Sequence, residues 1–335
     1  MNDDPHIVVA GAGTIGCFVG GLLAAGGMRV TLLLRDRVAA EIRAHGLTLT
    51  DFSGLAQKVS ADALTLSTDP ACLADADIVL VTIKSGNTPV MARAIAANIS
   101  AQAHVISLQN GVENVDALRS IMPNNDVRAG MVPFNVVPMG QGCYHRASSG
   151  DIVIGTGDTA LSDLLTVPQL AMTENPQITR IQWGKFLINL NNALNALSGL
   201  TLRDQLNDRA WRKLMADQWD EALKVLKAAQ IKPISTNQVP VGMIPAVLRL
   251  PTPMFTRVAA QMLTIDAQAR ASMAHDLLLG RMTEIDALQG VVVRMGTRQR
   301  VKTPMNARVL EMVRLAETAR EGLPNLPVKA IRSNG

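Results

Sequence analysis

The sequence predicts an α/β fold of two domains, a parallel-sheet domain over residues 1–178 and a mostly α-helical domain over residues 179–335. The length of 335 residues suits about two domains of roughly 150 residues each. The chain opens with β-branched strands separated by a helix of small residues, which is typical of a parallel sheet. From about Ile181 the apolar residues follow long helical periods instead, which indicates the second domain.

Composition and charge restrict the classes of ligand. The net charge of +4 and the pI near 9.1 suit an anionic ligand. The charges are spread along the chain and aromatic residues make up only 3%, so we do not expect nucleic-acid binding. Cys17, Cys72 and Cys143 are odd in number and far apart. They predict neither a disulfide framework nor a metal site, and they favour a reducing cytoplasm.

The uncharged run over residues 7–27 is long enough to cross a bilayer, and it lies where a signal peptide would be. The leader MNDDPH is acidic instead of basic, and glycines interrupt the run. We therefore expect neither a membrane segment nor a secretion signal.

The spacing of those glycines has a different explanation. Gly11, Gly13 and Gly16 form G-x-G-x-x-G around Thr14 and Ile15, directly after the predicted strand HIVVA. In this context the first glycine permits a tight turn, the second lets a pyrophosphate approach the backbone, and the third allows close packing of the helix. All five residues are predicted to bind a dinucleotide in a Rossmann-type domain. The alternative is a glycine-rich turn without a ligand.

Arg35 follows the second predicted strand, which ends at Leu34. NAD enzymes usually place a carboxylate there to bind the ribose diol, whereas an arginine suits a 2′-phosphate. The sequence thus favours NADP (NADPH) over NAD. Asp36 could take the acidic role instead, and either charge could be an ordinary loop residue.

Two further buried strands are predicted within DIVLVTIKSGN, residues 77–87, and HVISLQNG, residues 104–111. Because ligands collect at the carboxyl ends of parallel strands, Lys84 and Asn110 are predicted to lie near the cofactor. The alternative is that each is merely a loop residue. The segments MVPFNVV and YHRASSGDIVIG, with a turn at Gly150, are expected to complete the sheet.

The stretch KFLINLNNALNAL, residues 185–197, is predicted to form one helix. Its apolar residues share one face, and Lys185, Asn189 and Asn192 form a narrow polar stripe roughly opposite. Ordinary solvent faces use Glu, Lys and Arg, whereas this stripe has a single cation beside neutral amides. It either faces water or binds a polar ligand.

The stretch SMAHDLLLGRMTEIDALQG, residues 272–290, contains the other candidate site residues. Thr283 and Asp286 have capping-box spacing, which predicts a helix start with Glu284 in its first turn. Glu284 is then either a helix-capping charge or a site residue. A break at Gly280 and Arg281 would turn Ser272 and Asp276 back toward the same cleft as Glu284.

Three other segments of the second half are given structural interpretations. His275 is interpreted as a surface or packing residue. The proline-rich residues 234–253 are expected to be irregular. The basic run over residues 294–302 is expected to be a solvated loop.

These motifs together resemble the 2-dehydropantoate 2-reductase family, also called the ketopantoate reductases. The resemblance rests on GAGTIG with Arg35, IK at Lys84, QNG at Asn110, W-x-K-x-x-x-N from Trp183, and SM-x-x-D with TEID, and it covers nearly the whole chain. It implies NADPH-dependent reduction of ketopantoate to pantoate, on the pantothenate route to coenzyme A.

The resemblance also implies roles for individual residues. Lys185 matches the general acid of the family, and Glu284 matches its essential carboxylate, close to both substrate and cofactor. Asn110 would lie at the nicotinamide end and contact the substrate, and Asn189, Asn192 and Ser272 would hold the substrate. Well-known members have a further asparagine eight residues after the lysine, where this chain has Ala193.

Two alternatives to ketopantoate reduction stay open. The chain could reduce another branched 2-oxo acid, which Ala193 makes plausible, or it could be a non-catalytic NADPH sensor. Retention of both Lys185 and Glu284 argues against the sensor. The expected partner is a small-molecule 2-oxo acid, and a homodimer is compatible with the resemblance.

Overall fold

The computed structural model describes residues 4–235, 239–259 and 268–332. The chain divides into two compact units, Met1–Thr179 and Arg180–Gly335.

The first unit carries twelve strands and four helices among its described residues. The strands are β1 (His6–Ala10), β2 (Arg29–Leu33), β3 (Leu47–Asp51), β4 (Ala56–Val59), β5 (Thr65–Ser67), β6 (Ile78–Val81), β7 (His104–Ser107), β8 (Asp126–Met131), β9 (Val136–Gly140), β10 (Cys143–Arg146), β11 (Ile152–Ile154) and β12 (Met172–Glu174). The helices are α1 (Thr14–Ala25), α2 (Asp36–His45), α3 (Thr88–Ala96) and α4 (Asn114–Ile121).

An eight-stranded sheet forms the centre of this unit, in the order β12-β11-β8-β7-β6-β1-β2-β5. The six strands from β5 to β8 are parallel, and β11 joins β8 in antiparallel pairing. The strand order progresses away from β1 in both directions, toward β2 on one side and β6 on the other. The carboxyl ends of β1 and β6 therefore border the crevice where such sheets bind their ligands.

A second sheet, in the order β4-β3-β10-β9, corrects one expectation. The segments around MVPFNVV and YHRASSGDIVIG do supply β8 and β11 to the main sheet, but β9 and β10 do not belong to it. Strand β10 pairs with β3, where Arg146 Nη2 lies 2.5 Å from the buried carboxylate of Asp51. Tyr144 on β10 is buried in the same core as Phe18 of α1, so the second sheet packs onto that helix.

The second unit is helical over its described residues. Its helices are α5 (Ile178–Asn189), α6 (Asn191–Ser198), α7 (Leu202–Asn207), α8 (Arg209–Ala228), α9 (Ile244–Arg249), α10 (Thr252–Val258), α11 (Ser272–Leu278), α12 (Gln289–Gln299), α13 (Pro304–Ala319) and α14 (Val328–Arg332).

Three predictions in this unit need correction. The single helix over residues 185–197 is interrupted at Leu190, whose carbonyl oxygen accepts a hydrogen bond from Gln289 Nε2 at 2.8 Å. The basic run over residues 294–302 is helical as far as Gln299 because α12 buries Val291 and Val292, although its charged side chains are exposed. The proline-rich segment contains α9, and its residues 236–238 lie outside the described part of the chain.

A fully buried arginine connects several helix ends in this unit. The Arg212 guanidinium on α8 lies over the ring of Phe255 at 4.2 Å and donates only to neutral oxygens. The acceptors are Leu206 O at 2.7 Å, Asn207 O at 3.1 Å, Leu248 O at 3.2 Å, Leu250 O at 2.9 Å and Thr252 Oγ1 at 3.2 Å. Arg212 thereby ties the end of α7 to α9 and to the start of α10.

None of the helices in the described ranges combines the length and the apolar character needed to cross a bilayer.

Candidate functional site

The glycine motif forms a tight turn between β1 and α1. Gly11 has a φ of +78°, and a Cβ there would overlap the side chain of Ile83. A Cβ at Gly16 would overlap Thr82 Oγ1 and approach Val9 Cγ1 to 2.9 Å. Larger residues are therefore excluded at both positions by the loop after β6 and by β1.

The same turn leaves room for a ligand at its second glycine. A Cβ at Gly13 would meet nothing closer than 3.9 Å, and Gly13 itself is exposed. The amides of Gly11 and Ala12 donate to Leu33 O at 2.9 and 2.8 Å, which fixes the turn to the end of β2. Helix α1 begins at Thr14 without a side-chain cap, so the first amides of the helix, including those of Thr14 and Ile15, lack intrahelical acceptors. The turn therefore fits the pyrophosphate of a dinucleotide.

Arg35, the residue predicted to bind a 2′-phosphate, lies two residues after the end of β2. It is exposed at the N-cap position of α2, and Asp36 occupies the first turn of that helix. The preceding amide of Leu34 donates to Ser67 O at 2.9 Å, which joins this corner to the end of β5.

Lys84 and Asn110 lie in the loops that follow the neighbouring strands β6 and β7, and both are exposed. Ser85 Oγ donates to Asn110 O at 2.9 Å, so the structure brings the two loops together. These loops and the glycine turn all lie at the carboxyl edge of the parallel sheet.

In the second unit, Lys185 and Asn189 lie one turn apart on α5. Asn189 is 8% exposed and Lys185 is partly buried. Desolvation by burial lowers the pKa of the Lys185 ammonium from 10.5 to about 8. The polar stripe is therefore not an ordinary solvated face, and its lysine is suited to give up a proton near neutral pH.

Asn192 lies at the start of α6, with its Nδ2 3.5 Å from Oγ of the exposed Ser272. The structure thus brings together two of the predicted substrate-binding residues. Ala193, at the position of the family's further asparagine, is 0% exposed and forms part of the core. The accessible amide of α6 is the one at position 192.

Two other asparagines of the stretch 185–197 have structural partners that the sequence interpretation missed. Asn191 and Asn195 each donate to Gln205 Oε1 at 3.2 Å, and all three side chains are buried. Asn195 Oδ1 also accepts the amide of Ala271 at 2.8 Å, which positions Ser272 at the first residue of α11. The one-turn spacing of Asn191 and Asn195 was the available sequence signal for this pair.

The capping box predicted at Thr283 and Asp286 is wrong. The Thr283 amide and hydroxyl both donate to Glu317 Oε1, at 2.7 and 2.6 Å, and Thr283 Oγ1 accepts the amide of Ile285 at 3.1 Å. Only a three-residue 3-10 turn, Ile285–Ala287, follows, and α12 begins at Gln289. Glu284 makes no capping hydrogen bond to that turn, so its carboxylate is not a helix cap.

Gln289 links the segment of Glu284 to the end of the helix that carries Lys185. It is fully buried, and its bond to Leu190 O spans 99 positions of sequence. Gln289 lies five residues after Glu284, and Leu190 directly follows α5, so the bond fixes these two segments to each other. Sequence reasoning missed Gln289, because nothing local distinguishes a buried glutamine at the start of a helix.

Within the ranges that the structure describes, no three His, Cys, Asp or Glu side chains converge in a manner that would hold a metal ion. The three cysteines are free thiols.

A dinucleotide turn in a parallel sheet, joined in the same chain to a helical unit with a lysine and neutral amides, is the arrangement of an NAD(P)-dependent oxidoreductase. The chain belongs to the ketopantoate reductase PanE/ApbA family: the family model matches residues 7–159, and the model of its C-terminal domain matches residues 177–317.

Relatives match along almost the full length. A 2-dehydropantoate 2-reductase of Halobacterium salinarum is 27% identical over 323 residues, covering 93% of this chain and 99% of the relative. The crystal structure of a PanE/ApbA family ketopantoate reductase from Ralstonia eutropha JMP134 is 29% identical, with a TM-score of 0.81, and covers 94% of this chain and 99% of that one. D-mandelate dehydrogenase with NADH and anilino(oxo)acetate has a TM-score of 0.76 at 22% identity over 94% of this chain and 99% of its own, so it shares the fold.

Proposed function

We propose that this chain catalyses the NADPH-dependent reduction of 2-dehydropantoate to pantoate, a step of pantothenate and coenzyme A biosynthesis. The observation that carries the proposal is the partly buried Lys185, whose pKa is lowered to about 8, one helical turn from the buried Asn189. Burial lowers the pKa of this ammonium toward neutral pH, which suits it to donate a proton to a developing alkoxide.

The first unit supplies the residues for the cofactor. Gly11, Gly13 and Gly16, with the amides at Thr14 and Ile15, would hold the pyrophosphate. Arg35 would bind the 2′-phosphate through its guanidinium, and Lys84 and Asn110 would hold the nicotinamide half. When bound, NADPH supplies a hydride to the carbonyl carbon of the substrate.

Lys185 supplies the matching proton. As negative charge develops on the carbonyl oxygen, an ammonium within hydrogen-bond distance stabilises it and then donates a proton to it. A pKa near 8 leaves Lys185 mostly protonated at neutral pH, and its proton is released more readily than that of an ordinary lysine.

The neutral side chains around Lys185 suit a substrate with a carboxylate and a hydroxyl. Asn189, Asn192 and Ser272 can donate and accept hydrogen bonds without adding charge that would compete with the substrate carboxylate. Glu284 would hydrogen-bond the substrate hydroxyl and orient the Lys185 ammonium.

The cofactor preference rests on Arg35 alone. NADPH is proposed because an exposed arginine follows β2 and no carboxylate precedes it there. Asp36 is the feature that would favour NADH, and measuring both cofactors separates the two assignments.

The first test is an absorbance assay of NADPH consumption with 2-dehydropantoate beside a panel of branched and aromatic 2-oxo acids. The proposal expects 2-dehydropantoate to give the highest kcat/KM. A different preferred 2-oxo acid would assign the chain to another reductase, an outcome made plausible by the buried Ala193. No NADPH oxidation with any 2-oxo acid would favour a non-catalytic NADPH sensor. The homodimer and the cytoplasmic location stay predictions.

A further inference from the structure

A buried cluster of polar side chains connects the two loops that carry Lys84 and Asn110. We call residues 82–87 the β6 loop and residues 108–113 the β7 loop. Asn114, at the start of α4, is 7% exposed and contacts both loops. Its Nδ2 donates to Asn110 O at 2.6 Å and to Ser85 Oγ at 3.0 Å.

The acceptor oxygen of the same amide is also used. Asn114 Oδ1 accepts a hydrogen bond from the hydroxyl of Thr88 at 2.9 Å, and Thr88 in turn accepts one from Gln109 Nε2 at 2.8 Å. Gln109 Nε2 also contacts Ile83 O at 3.2 Å, and Gln109 Oε1 accepts from Ser107 Oγ at 3.1 Å. The chain of bonds thus runs from the end of β7, through the buried amides, into the β6 loop.

We infer that Asn114 is a positioning residue that holds the β6 and β7 loops in the single arrangement in which they bind the cofactor. The inference rests on the proposed cofactor role of Lys84 and Asn110. Because the Asn114 side chain is buried and its hydrogen bonds go to the two loops and to Thr88, it acts through the loops.

Few side chains can satisfy this position. The site requires two donors directed at Asn110 O and Ser85 Oγ, and one acceptor directed at the Thr88 hydroxyl. A carboxylate would keep the acceptor and lose both donors, and alanine would leave buried polar groups unpaired. Because the bonds of Asn114 join two loops instead of stabilising one, their loss loosens the arrangement of the loops, which stay linked by the Ser85–Asn110 and Gln109–Ile83 hydrogen bonds, while the strands stay paired.

The chain offers a matched control at the opposite edge of the same sheet. Asn125 Nδ2 also donates two hydrogen bonds, to Ser100 O at 2.9 Å and to Ala103 O at 3.2 Å. These bonds join the segments that precede β7 and β8, at the amino ends of the strands. Asn125→Ala therefore removes a similar loop-to-loop amide away from the proposed cofactor edge.

The experiment measures the Kd for NADPH by fluorescence titration without substrate, and the Tm, for Asn114→Ala, Asn125→Ala, Thr88→Val and Thr88→Ser. We expect Asn114→Ala and Thr88→Val to raise the Kd about tenfold. Thr88→Ser keeps the hydroxyl and should stay within about twofold of wild type. Asn125→Ala should leave the Kd unchanged and lower the Tm less than Asn114→Ala, because Asn125 is half-buried and makes two hydrogen bonds where the buried Asn114 makes three.

A wild-type Kd in folded Asn114→Ala would overturn the inference, and so would an equal rise in Kd for Asn125→Ala. If Asn114→Ala does not fold, the two variants of Thr88 decide instead. Equal Kd values for Thr88→Val and Thr88→Ser would overturn the inference, whereas a raised Kd for Thr88→Val alone would support it. The titration needs no substrate, so it tests the role of Asn114 separately from the proposed function. If the variants give the expected Kd values but the protein reduces no 2-oxo acid, the role of Asn114 is supported and the proposed function is refuted.

Discussion

Raising the pH should remove the proton that Lys185 donates. Burial lowers the pKa of this group from 10.5 to about 8, so the ammonium loses its proton at a lower pH than an ordinary lysine does. About nine-tenths of the side chain is protonated one pH unit below that pKa, and about one-tenth is protonated one unit above it. The kcat/KM for reduction should therefore be level well below pH 8 and fall about tenfold per unit well above it.

The reverse reaction gives the opposite sign. Oxidation of the 2-hydroxy acid with NADP needs Lys185 as a neutral base, so its rate should rise through pH 8 and then level off. Both directions are followed through the absorbance of NADPH. Lys185→Ala should lower kcat by about 10² to 10⁴, with NADPH affinity nearly unchanged. The reduction rate of this variant should no longer fall as the pH rises through 8.

An exposed lysine on a helix of the same unit provides the control. Lys213→Ala, on α8, should keep both the rate and the profile of wild type. A reduction rate that stays level to pH 10, or a near-normal kcat in folded Lys185→Ala, would remove Lys185 from the mechanism.

Substitutions at three other positions separate binding, catalysis and stability. Arg35→Ala should weaken NADPH binding by about 2 to 5 kcal/mol, and NADH binding much less, when Kd is measured by fluorescence titration. Glu284→Gln should lower kcat/KM at least about tenfold, equivalent to about 1.4 kcal/mol, with a smaller loss on a substrate analogue that lacks the hydroxyl. Arg212→Met should cost about 3 to 5 kcal/mol of unfolding free energy in denaturant titrations, because it leaves several buried carbonyl oxygens without a donor.

The two arginine substitutions have control variants, and each of the three substitutions has a result that would contradict its assignment. For the cofactor, Arg43→Ala at the far end of α2 should change nothing, and equal losses for NADPH and NADH would disprove the 2′-phosphate assignment. A Glu284→Gln variant with a lowered Tm and unchanged kinetics would show that the carboxylate is only structural. Arg209 is exposed and donates to Arg249 O at 2.9 Å, so Arg209→Met should lower the free energy of unfolding by less than about 1 kcal/mol. An equally small loss for Arg212→Met would refute the structural role of Arg212.

The features that the sequence predicted correctly depend on local patterns. The turn at Gly11 and Gly16 and the buried strands before Lys84 and Asn110 are specified by residues within a few positions of one another. Glycine spacing and runs of β-branched residues report this local geometry directly. The α/β domain and the helical domain that follows could therefore be assigned from sequence.

The features that the sequence predicted wrongly depend on distant partners. Strand β10 leaves the main sheet because its partner is β3, and Thr50 Oγ1 and His145 Nδ1 lie 2.8 Å apart across 95 positions. The capping box at Thr283 fails because Glu317, 34 positions later, accepts both bonds from the threonine. Local propensity carries no information about such contacts.

The candidate site shows the same division. Helical spacing predicted the stripe of Lys185, Asn189 and Asn192. The break at Leu190 could not be predicted in this way, because the carbonyl oxygen of Leu190 accepts a hydrogen bond from the distant Gln289. Because of that break, Asn189 and Asn192 lie on different helices, and Ala193 is buried in the second of them. The consequence of Ala193 for substrate choice therefore could not be judged from residue spacing alone.

The most direct measurement is NADPH absorbance after addition of 2-dehydropantoate to the purified protein. We expect NADPH to be consumed in a one-to-one ratio with pantoate formed, faster than NADH and faster than with other 2-oxo acids. No consumption of either cofactor with 2-dehydropantoate or with any other 2-oxo acid, by protein that binds NADPH, would contradict the proposed function.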